Sequence, residues 1–271
     1  MELTHIDDPT DERLADFRLL NDQAARRAHE GDEFFIAEGY VSIDRVIDSG
    51  HRLRSVLLTP SRVERFRARV ERLAELGGEV PSIYVVPRAS IADVVGFDLH
   101  RGVVASADRR PLPSVGDIAA SSAARIAVLV GLNDAENVGV ISRAARALGI
   151  DALVLDPTCT DPYARRTVRV SMGEILHLPV ARAERWPDDL DLLHRAGIES
   201  WALTPHTEAD DVWGLDVPDR VALMLGAEGP GLDADTLAAA TRRVRIPITD
   251  GVDSLNVGHA AAVTFAITSR P

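Results

Sequence analysis

The chain has 271 residues, 46% of them hydrophobic and 27% charged, which is typical of a globular protein with one large domain or two medium ones. We expect a cytoplasmic protein, because the sequence shows neither a signal peptide nor an apolar run of roughly 18 residues. The single cysteine, Cys159, excludes an intrachain disulfide and a cysteine-based zinc site, and we expect no metal.

The net charge of −12 argues against a nucleic-acid partner, whose phosphates require a basic surface. All 30 basic residues are arginine, however, and arginine suits bidentate phosphate contacts and stacking on bases. Seven of these arginines cluster in residues 52–72 and three more at 165–169. The first cluster is also typical of a solvated amphipathic helix with Arg65, Arg69 and Arg72 on one face. Composition alone favours the solvated helix and leaves RNA binding open.

Strands and helices alternate in the first part of the chain, which predicts an α/β layer structure. The predicted elements are a helix at 12–29, a strand at 34–39, a helix at 40–50, a strand at 53–59, a helix at 61–77, and strands at 82–87 and 102–107. Residues 107–124 are rich in Pro, Ser, Gly and Ala without periodicity. They are the best linker candidate, so we predict domains at 1–107 and 125–271 joined by 108–124.

A second α/β series follows this linker. Strands are predicted at 126–130, 152–155, 200–204, 221–225 and 244–248, with helices at 137–148 and from about 257.

The helix at 137–148 begins in the stretch NVGVISRAARALGI, residues 137–150, directly after an apolar strand. This arrangement resembles a nucleotide-binding turn, but the spaced glycines of a dinucleotide site and a Gly-Lys-Ser/Thr phosphate loop are both missing. A dinucleotide-dependent oxidoreductase is therefore disfavoured. Arg143 stands here among small and apolar neighbours, and by itself it would be read as a surface or ion-paired arginine.

The stretch LMLGAEGPGLD, residues 223–233, ends a predicted strand and places three glycines around Glu228. Glycines at such a turn allow positive φ and let a ligand approach the backbone closely. Glu228 is either a helix-start carboxylate or a functional group.

The stretch RIPITDGVDSLNVGHAAAVTFAI, residues 245–267, leaves a strand, forms a polar loop and enters an alanine-rich helix. Ser254 and Asn256 both suit the N-cap of that helix. Alone, the stretch indicates only a capped helix.

Taken together, the three stretches resemble the signature motifs of the SpoU (TrmH) family of RNA 2′-O-ribose methyltransferases. The matching residues are Asn137, Gly139, Arg143, Ala145 and Gly149 in the first motif, Gly226, Glu228, Gly229 and Gly231 in the second, and Ile246, Pro247, Ser254, Leu255, Asn256 and Val257 in the third. RVSMGEILHLPV at 169–180 resembles the family's Arg-x-Ser-x-Gly segment. FFIAEGYVSIDRVIDSG and FDLHRGVVASA are similar to the ribosomal-protein-like RNA-binding domain that many members carry in front. The resemblance covers nearly the full chain.

The resemblance implies a small α/β RNA-binding domain followed by a parallel-sheet SPOUT domain with a deep trefoil knot. It also implies a homodimer that acts on RNA and not on DNA. The cofactor would be S-adenosylmethionine (SAM), bound mostly through main-chain groups at Thr204, Gly226, Ile246 and Leu255.

In this family the first-motif arginine, here Arg143, acts on the ribose hydroxyl, either as a base or by stabilising the developing alkoxide. The resemblance further implies that Asn137, Glu228, Ser254 and Asn256 complete the catalytic site, partly across the dimer interface. We expect RNA contacts at Arg52, Arg54, Arg65, Arg69, Arg165 and Arg166.

Two departures from the family pattern bear on the third motif. Ile248 replaces the usual Met, which conserves apolar volume. Gly258 and His259 replace the usual Ser-Val in the first turn of a helix that the family uses for dimer contact.

The expected function is SAM-dependent 2′-O-methylation of structured RNA, with rRNA preferred over tRNA because of the two-domain layout. The alternatives are a tRNA 2′-O-methyltransferase, a non-catalytic RNA-binding protein with the same fold, and a SAM enzyme that modifies a base nitrogen.

Overall fold

A computed structural model describes residues 1–269, apart from the side chains of residues 23 and 24, and divides into two compact units. Unit 1 consists of Met1–Arg110 and Tyr163–Leu176, and unit 2 consists of Pro111–Pro162 and the chain from His177 onward. The stretch predicted as the second domain, 125–271, contributes residues to both units. Its residues 163–176 join unit 1, where Arg165 pairs with Glu38 at 2.5 Å.

The strands are β1 Thr4–His5, β2 Phe34–Glu38, β3 Leu53–Leu58, β4 Ser82–Val85, β5 Val103–Asp108, β6 Arg125–Val130, β7 Ala152–Leu155, β8 Val180–Arg182, β9 Glu199–Leu203, β10 Asp210–Asp211, β11 Val221–Gly226 and β12 Arg242–Arg245. The α-helices are α1 Gln23–Glu30, α2 Gly39–Asp48, α3 Val63–Glu75, α4 Arg88–Val95, α5 Val115–Ala120, α6 Ala135–Ala147, α7 Arg165–Val170, α8 Leu190–Arg195, α9 Ala234–Ala239 and α10 Val257–Thr268. Short 3₁₀ helices occupy Glu12–Phe17, Pro60–Arg62, Glu174–His177 and Val212–Gly214.

Unit 1 is built on a mixed sheet with the strand order β1-β4-β3-β5-β2. Strand β2 is buried along its whole length and pairs antiparallel with β5. Phe34, Ile36 and Leu57 belong to the apolar core. The single helix predicted at 12–29 is wrong: Leu19 has a φ of 59°, and Asp22 caps a new helix, α1, so the chain turns between two short helices.

Unit 2 contains a seven-stranded, wholly parallel sheet in the order β10-β12-β9-β11-β6-β7-β8. The central strands β6 and β11 read RIAVLV and VALMLG, and continuous apolar runs are typical of parallel strands covered on both faces. Ile126, Val128 and Met224 lie in the core. The predicted α/β fold with a parallel sheet is confirmed.

The segment 108–124, predicted as a linker without regular structure, contains helix α5. Ser114 and Asp117 form a capping box, in which the Asp117 N–H donates to Ser114 Oγ at 3.1 Å and the Ser114 N–H donates to Asp117 Oδ2 at 2.8 Å. The Ser114 hydroxyl also donates to Asp117 Oδ2 at 2.7 Å, and this hydrogen bond, followed by the one from the Ser114 N–H, lowers the pKa of the Asp117 carboxyl. Val115 and Ile118 are buried in the core of unit 2, so the irregular segment is limited to a few residues on each side of the helix.

The strand predicted at 244–248 also needs correction. Strand β12 covers Arg242–Arg245, and the chain leaves the sheet at Ile246. The prediction ended too late because the alternating apolar pattern of Val244, Ile246 and Ile248 continues beyond the last strand residue, and it missed the two arginines at the start of the strand.

Cys159 follows β7 and is 6% exposed, with its thiol donating to the Leu129 carbonyl at 3.2 Å. Burial, and then the neighbouring charge of Asp156, raise the pKa of the thiol to about 12. The native thiol therefore keeps its proton in alkaline solution, where the unfolded chain loses it.

We predict that native protein at pH 8 resists alkylation of Cys159 by iodoacetamide, whereas protein in denaturant is alkylated rapidly. Because the native state binds the proton more tightly, this group destabilises the fold as the pH rises from about 9 to about 12. Mass spectrometry of the alkylated protein measures the effect directly, since the chain has one cysteine. Equal alkylation of native and denatured protein would contradict the burial of the Cys159 thiol.

Candidate active site

A cavity of about 600 Å³ lies in unit 2 at the carboxyl ends of three neighbouring strands, β12, β9 and β11. Its walls come from residues 203–206 and 225–232, from Ile246 and Ile248, and from 254–257 with Ala260 in the first turn of α10. In open parallel sheets, ligands bind outside the carboxyl ends of the strands. This cavity is the candidate active site.

The wall after β11 is a tight glycine turn. A Cβ on Gly226 would lie 2.4 Å from the carbonyl carbon of Gly231 and 2.5 Å from the Leu232 nitrogen, so only glycine fits there. The turn closes through a Gly231 N–H to Ala227 carbonyl hydrogen bond of 3.0 Å. Gly229 and Gly231 have φ values of 86° and 69°, which favour glycine. The second motif therefore forms a turn whose main chain, not covered by side chains at the glycines, lines the cavity.

Asn256 connects the second and third motifs. Its side-chain oxygen accepts hydrogen bonds from the N–H groups of Gly258 (3.0 Å) and His259 (3.4 Å) and thereby caps α10. This fixes the orientation of the amide, so its NH₂ group donates to the carboxylate of Glu228. The helix-start interpretation of Glu228 is wrong, because Asp233 caps the next helix, α9. Glu228 is instead held at the cavity wall by Asn256.

The positions predicted for the cofactor all line the cavity: Thr204, Gly226, Ile246 and Leu255. Glu228, Ser254 and Asn256 line it as well. Thr204 is buried; its N–H donates to the Val244 carbonyl at 2.9 Å, which ties the end of β9 to β12. Sequence reasoning missed His206 and Ile248 as lining residues. Both residues lie just beyond the carboxyl end of a strand, and this position could have indicated that they line the cavity.

Asn137 and Arg143 lie on α6 and are not among the described residues that line the cavity. Arg143 is exposed, and within residues 1–269 its guanidinium forms no hydrogen bond or ion pair. Helix α6 packs against α10, where a Cβ on Gly258 would lie 2.9 Å from Val140 Cγ1. Gly258 therefore allows close contact between the helices. Although it contacts α10, the Val140 side chain remains 45% exposed.

Carboxylates of unit 1 neutralise much of the predicted arginine clusters. The ion pairs are Arg52 with Glu79 (2.8 Å) and Asp108 (3.0 Å), Arg54 with Asp16 (3.2 Å), Arg69 with Asp44 (2.7 Å), and Arg165 with Glu38 (2.5 Å). Arg65 and Arg69 both stack on the ring of Tyr40 at 4.4 Å, and Arg166 is exposed. The arginine face of α3 is therefore packed on α2 and is not simply solvated.

Residues 1–269 contain no cluster of His, Cys, Asp and Glu that could hold a metal ion. Nor does any helix within them have the length and apolar character to span a membrane.

The chain is similar in sequence and fold to known RNA methyltransferases. Residues 124–266 match the SpoU rRNA methylase family. An uncharacterized tRNA/rRNA methyltransferase of Mycobacterium tuberculosis is 40% identical over 100% of this chain and 93% of that protein. The AdoMet-bound rRNA methyltransferase from Sinorhizobium meliloti has a TM-score of 0.81 at 26% identity, covering 98% of this chain and 97% of that one. An RNA 2′-O ribose methyltransferase has a TM-score of 0.75 at 26% identity, covering 98% of both.

The fold is that of an RNA methyltransferase. The chain belongs to the SpoU rRNA methylase family, which confirms the resemblance seen in its motifs.

We predict that Asn256→Ala lowers the free energy of unfolding by about 1 kcal/mol, because α10 loses its N-cap. Asn256→Asp should keep most of that stability, since aspartate caps equally well, but it places a second carboxylate beside Glu228. Denaturant unfolding measures both, with Asp253→Ala in the same loop as control. Equal stability of Asn256→Ala and the wild type would contradict the capping role.

Proposed function

We propose that the protein transfers the methyl group of SAM to a ribose 2′-hydroxyl of structured RNA, with rRNA preferred over tRNA. The observation that carries the proposal is the hydrogen bond between Asn256 and Glu228 at the cavity wall, which joins the second and third motifs. The Sinorhizobium meliloti neighbour is bound to AdoMet, and another neighbour is a 2′-O ribose methyltransferase, so both support this assignment.

The cavity fits SAM in size and chemistry. Ile246, Ile248 and Leu255 supply apolar surface suited to an adenine ring. The space beside the main chain of the glycine turn after β11 is open, since a Cβ on Gly229 or Gly231 would meet nothing within 4 Å. A ligand can therefore approach the backbone there. The carboxylate of Glu228 complements the positive charge of a sulfonium ligand.

When bound, SAM supplies an electrophilic methyl group carried on sulfonium sulfur. The new O–C bond would form as the S–C bond of the sulfonium breaks, with the electron pair of the broken bond remaining on sulfur. Before this transfer the ribose hydroxyl would lose its proton to solvent water, and negative charge would develop on its oxygen. Arg143 can stabilise that charge, because its exposed guanidinium has no carboxylate partner within the described chain. Arginine is effectively always protonated, which favours this electrostatic role over that of a base. Asn137, Glu228, Ser254 and Asn256 would orient the site.

A second copy of the chain would bring Arg143 to the cavity. Arg143 and Asn137 are displayed on α6, outside the cavity of their own chain. Val140 on the same helix and Leu255 on the cavity loop are 45% and 39% exposed, and a partner would cover such apolar side chains. We therefore propose a homodimer in which one protomer supplies the cavity and its partner supplies Arg143.

The remaining parts of the proposal follow from the family resemblance. The C-terminal segment would be threaded through a loop in a trefoil knot, and the domain at 1–107 would bind RNA in the cytoplasm. Arg52, Arg54, Arg65, Arg69, Arg165 and Arg166 would contact phosphates. A guanidinium has five N–H donors, so an arginine that pairs with a carboxylate retains donors for RNA. Binding should weaken steeply with salt.

We predict that Arg143→Ala lowers the methyl-transfer rate at least 100-fold, as expected for loss of a group that stabilises transition-state charge. SAM affinity should be unchanged, because in the proposed dimer the cavity that holds SAM comes from the other protomer and Arg143 is assigned to the ribose oxygen. The assay is transfer from labelled SAM to size-fractionated cellular RNA, and Arg146→Ala, one turn further along the exposed face of α6, is the control.

Label in rRNA that appears in alkali-resistant dinucleotides identifies ribose 2′-O-methylation, and label in the tRNA fraction would favour a tRNA enzyme. A fully active Arg143→Ala variant would contradict the assigned role. SAM binding without transfer to any RNA fraction would favour a non-catalytic RNA-binding protein.

A mixing experiment tests the shared site. Arg143→Ala keeps an intact cavity, and Gly226→Ala disrupts the cavity turn but keeps Arg143. Mixed and allowed to exchange, the two inactive variants should regain about a quarter of the wild-type activity, since half of the dimers then hold one complete site. Circular dichroism verifies that Gly226→Ala is folded. No recovery between folded, exchanging variants would contradict a site shared between protomers.

A further inference from the structure

His206 stands out among the residues that form the cavity. Of the described lining residues, only His206 and Glu228 carry ionisable side chains. The carboxylate of Glu228 already accepts a hydrogen bond from Asn256. The imidazole of His206 forms no hydrogen bond or ion pair within residues 1–269, so it is the available basic group.

The backbone of His206 is fixed by the loop between β9 and β10. Its N–H donates to Thr204 Oγ1 at 3.4 Å, and its carbonyl accepts from the Ala209 N–H at 3.1 Å. The residue therefore sits in a short turn that begins at the cavity wall. Its side chain is exposed, which places it where the cavity opens to solvent.

SAM has one anionic group, the carboxylate of its methionine part. Burying an ionised carboxylate among apolar side chains is costly unless it receives hydrogen bonds, so this end of the ligand belongs at the solvated rim. Ile246, Ile248 and Leu255 suit the adenine end instead. An imidazole offers an N–H donor in both its neutral and its charged form.

We propose that His206 binds the methionine carboxylate of SAM and so selects ligands that carry this group. This inference rests on the proposed function, because it assigns an additional contact within the same cavity. The other ionisable group, Glu228, lies on the side of the cavity formed by the glycine turn and α10.

The test compares SAM with decarboxylated SAM, which lacks only the carboxylate. Dissociation constants are measured by calorimetry without RNA on the full chain. The wild type should bind SAM more tightly, and His206→Ala should weaken SAM binding about 10-fold while leaving decarboxylated SAM unaffected, as expected for one charge-assisted hydrogen bond. Thr207→Ala, on the same exposed turn but outside the cavity lining, should behave as the wild type.

Two further variants sharpen the result. His206→Arg should keep the preference for SAM, and His206→Asp should reverse it, because a carboxylate repels the ligand carboxylate. Equal losses for both ligands in His206→Ala, or no loss for either, would overturn the inference while leaving the SAM cavity in place. A wild-type protein that binds neither ligand would overturn the proposed function itself.

Discussion

The side chain of Asn256 joins two walls of the candidate active site, because its oxygen and its nitrogen bind different parts of the chain. Its oxygen caps α10, and its nitrogen donates to Glu228 on the glycine turn after β11. The start of the helix, the turn and the cavity are therefore positioned as one unit. A cap alone would explain an asparagine here, but it would not explain why a carboxylate 28 residues earlier in the chain meets it.

The glycine turn and the parallel sheet position the residues that make this contact. Three parallel neighbouring strands end at one edge of the sheet, so the residues that follow them converge there although they are far apart in sequence. Gly226 lets the turn fold back on itself, since any Cβ would meet the backbone of Gly231. The cavity thus depends on backbone geometry more than on charged side chains. That dependence agrees with a site that binds its ligand largely through main-chain groups.

The sequence predicted the central strands and the cavity loops well, because both have strong local signals. Continuous apolar runs mark β6 and β11, and the Gly226 turn and the Asn256 cap are local features. Contacts between residues far apart in the chain could not be predicted from the sequence. The pairing of Arg52 with Asp108, and of residues 163–176 with unit 1, joins distant stretches of chain. Helix α5 was missed because a short capped helix is obscured by the surrounding Pro, Ser and Gly.

Hydrogen–deuterium exchange with and without SAM tests the central claim most directly, namely that the loops after β9, β11 and β12 bind the methyl donor. SAM should slow exchange in residues 203–206, 225–232 and 246–257, and leave helix α5 at 115–120 unchanged. Protection confined to those loops would locate the donor in the cavity. Binding that protects unit 1, or any part of the chain other than those three loops, would contradict the account.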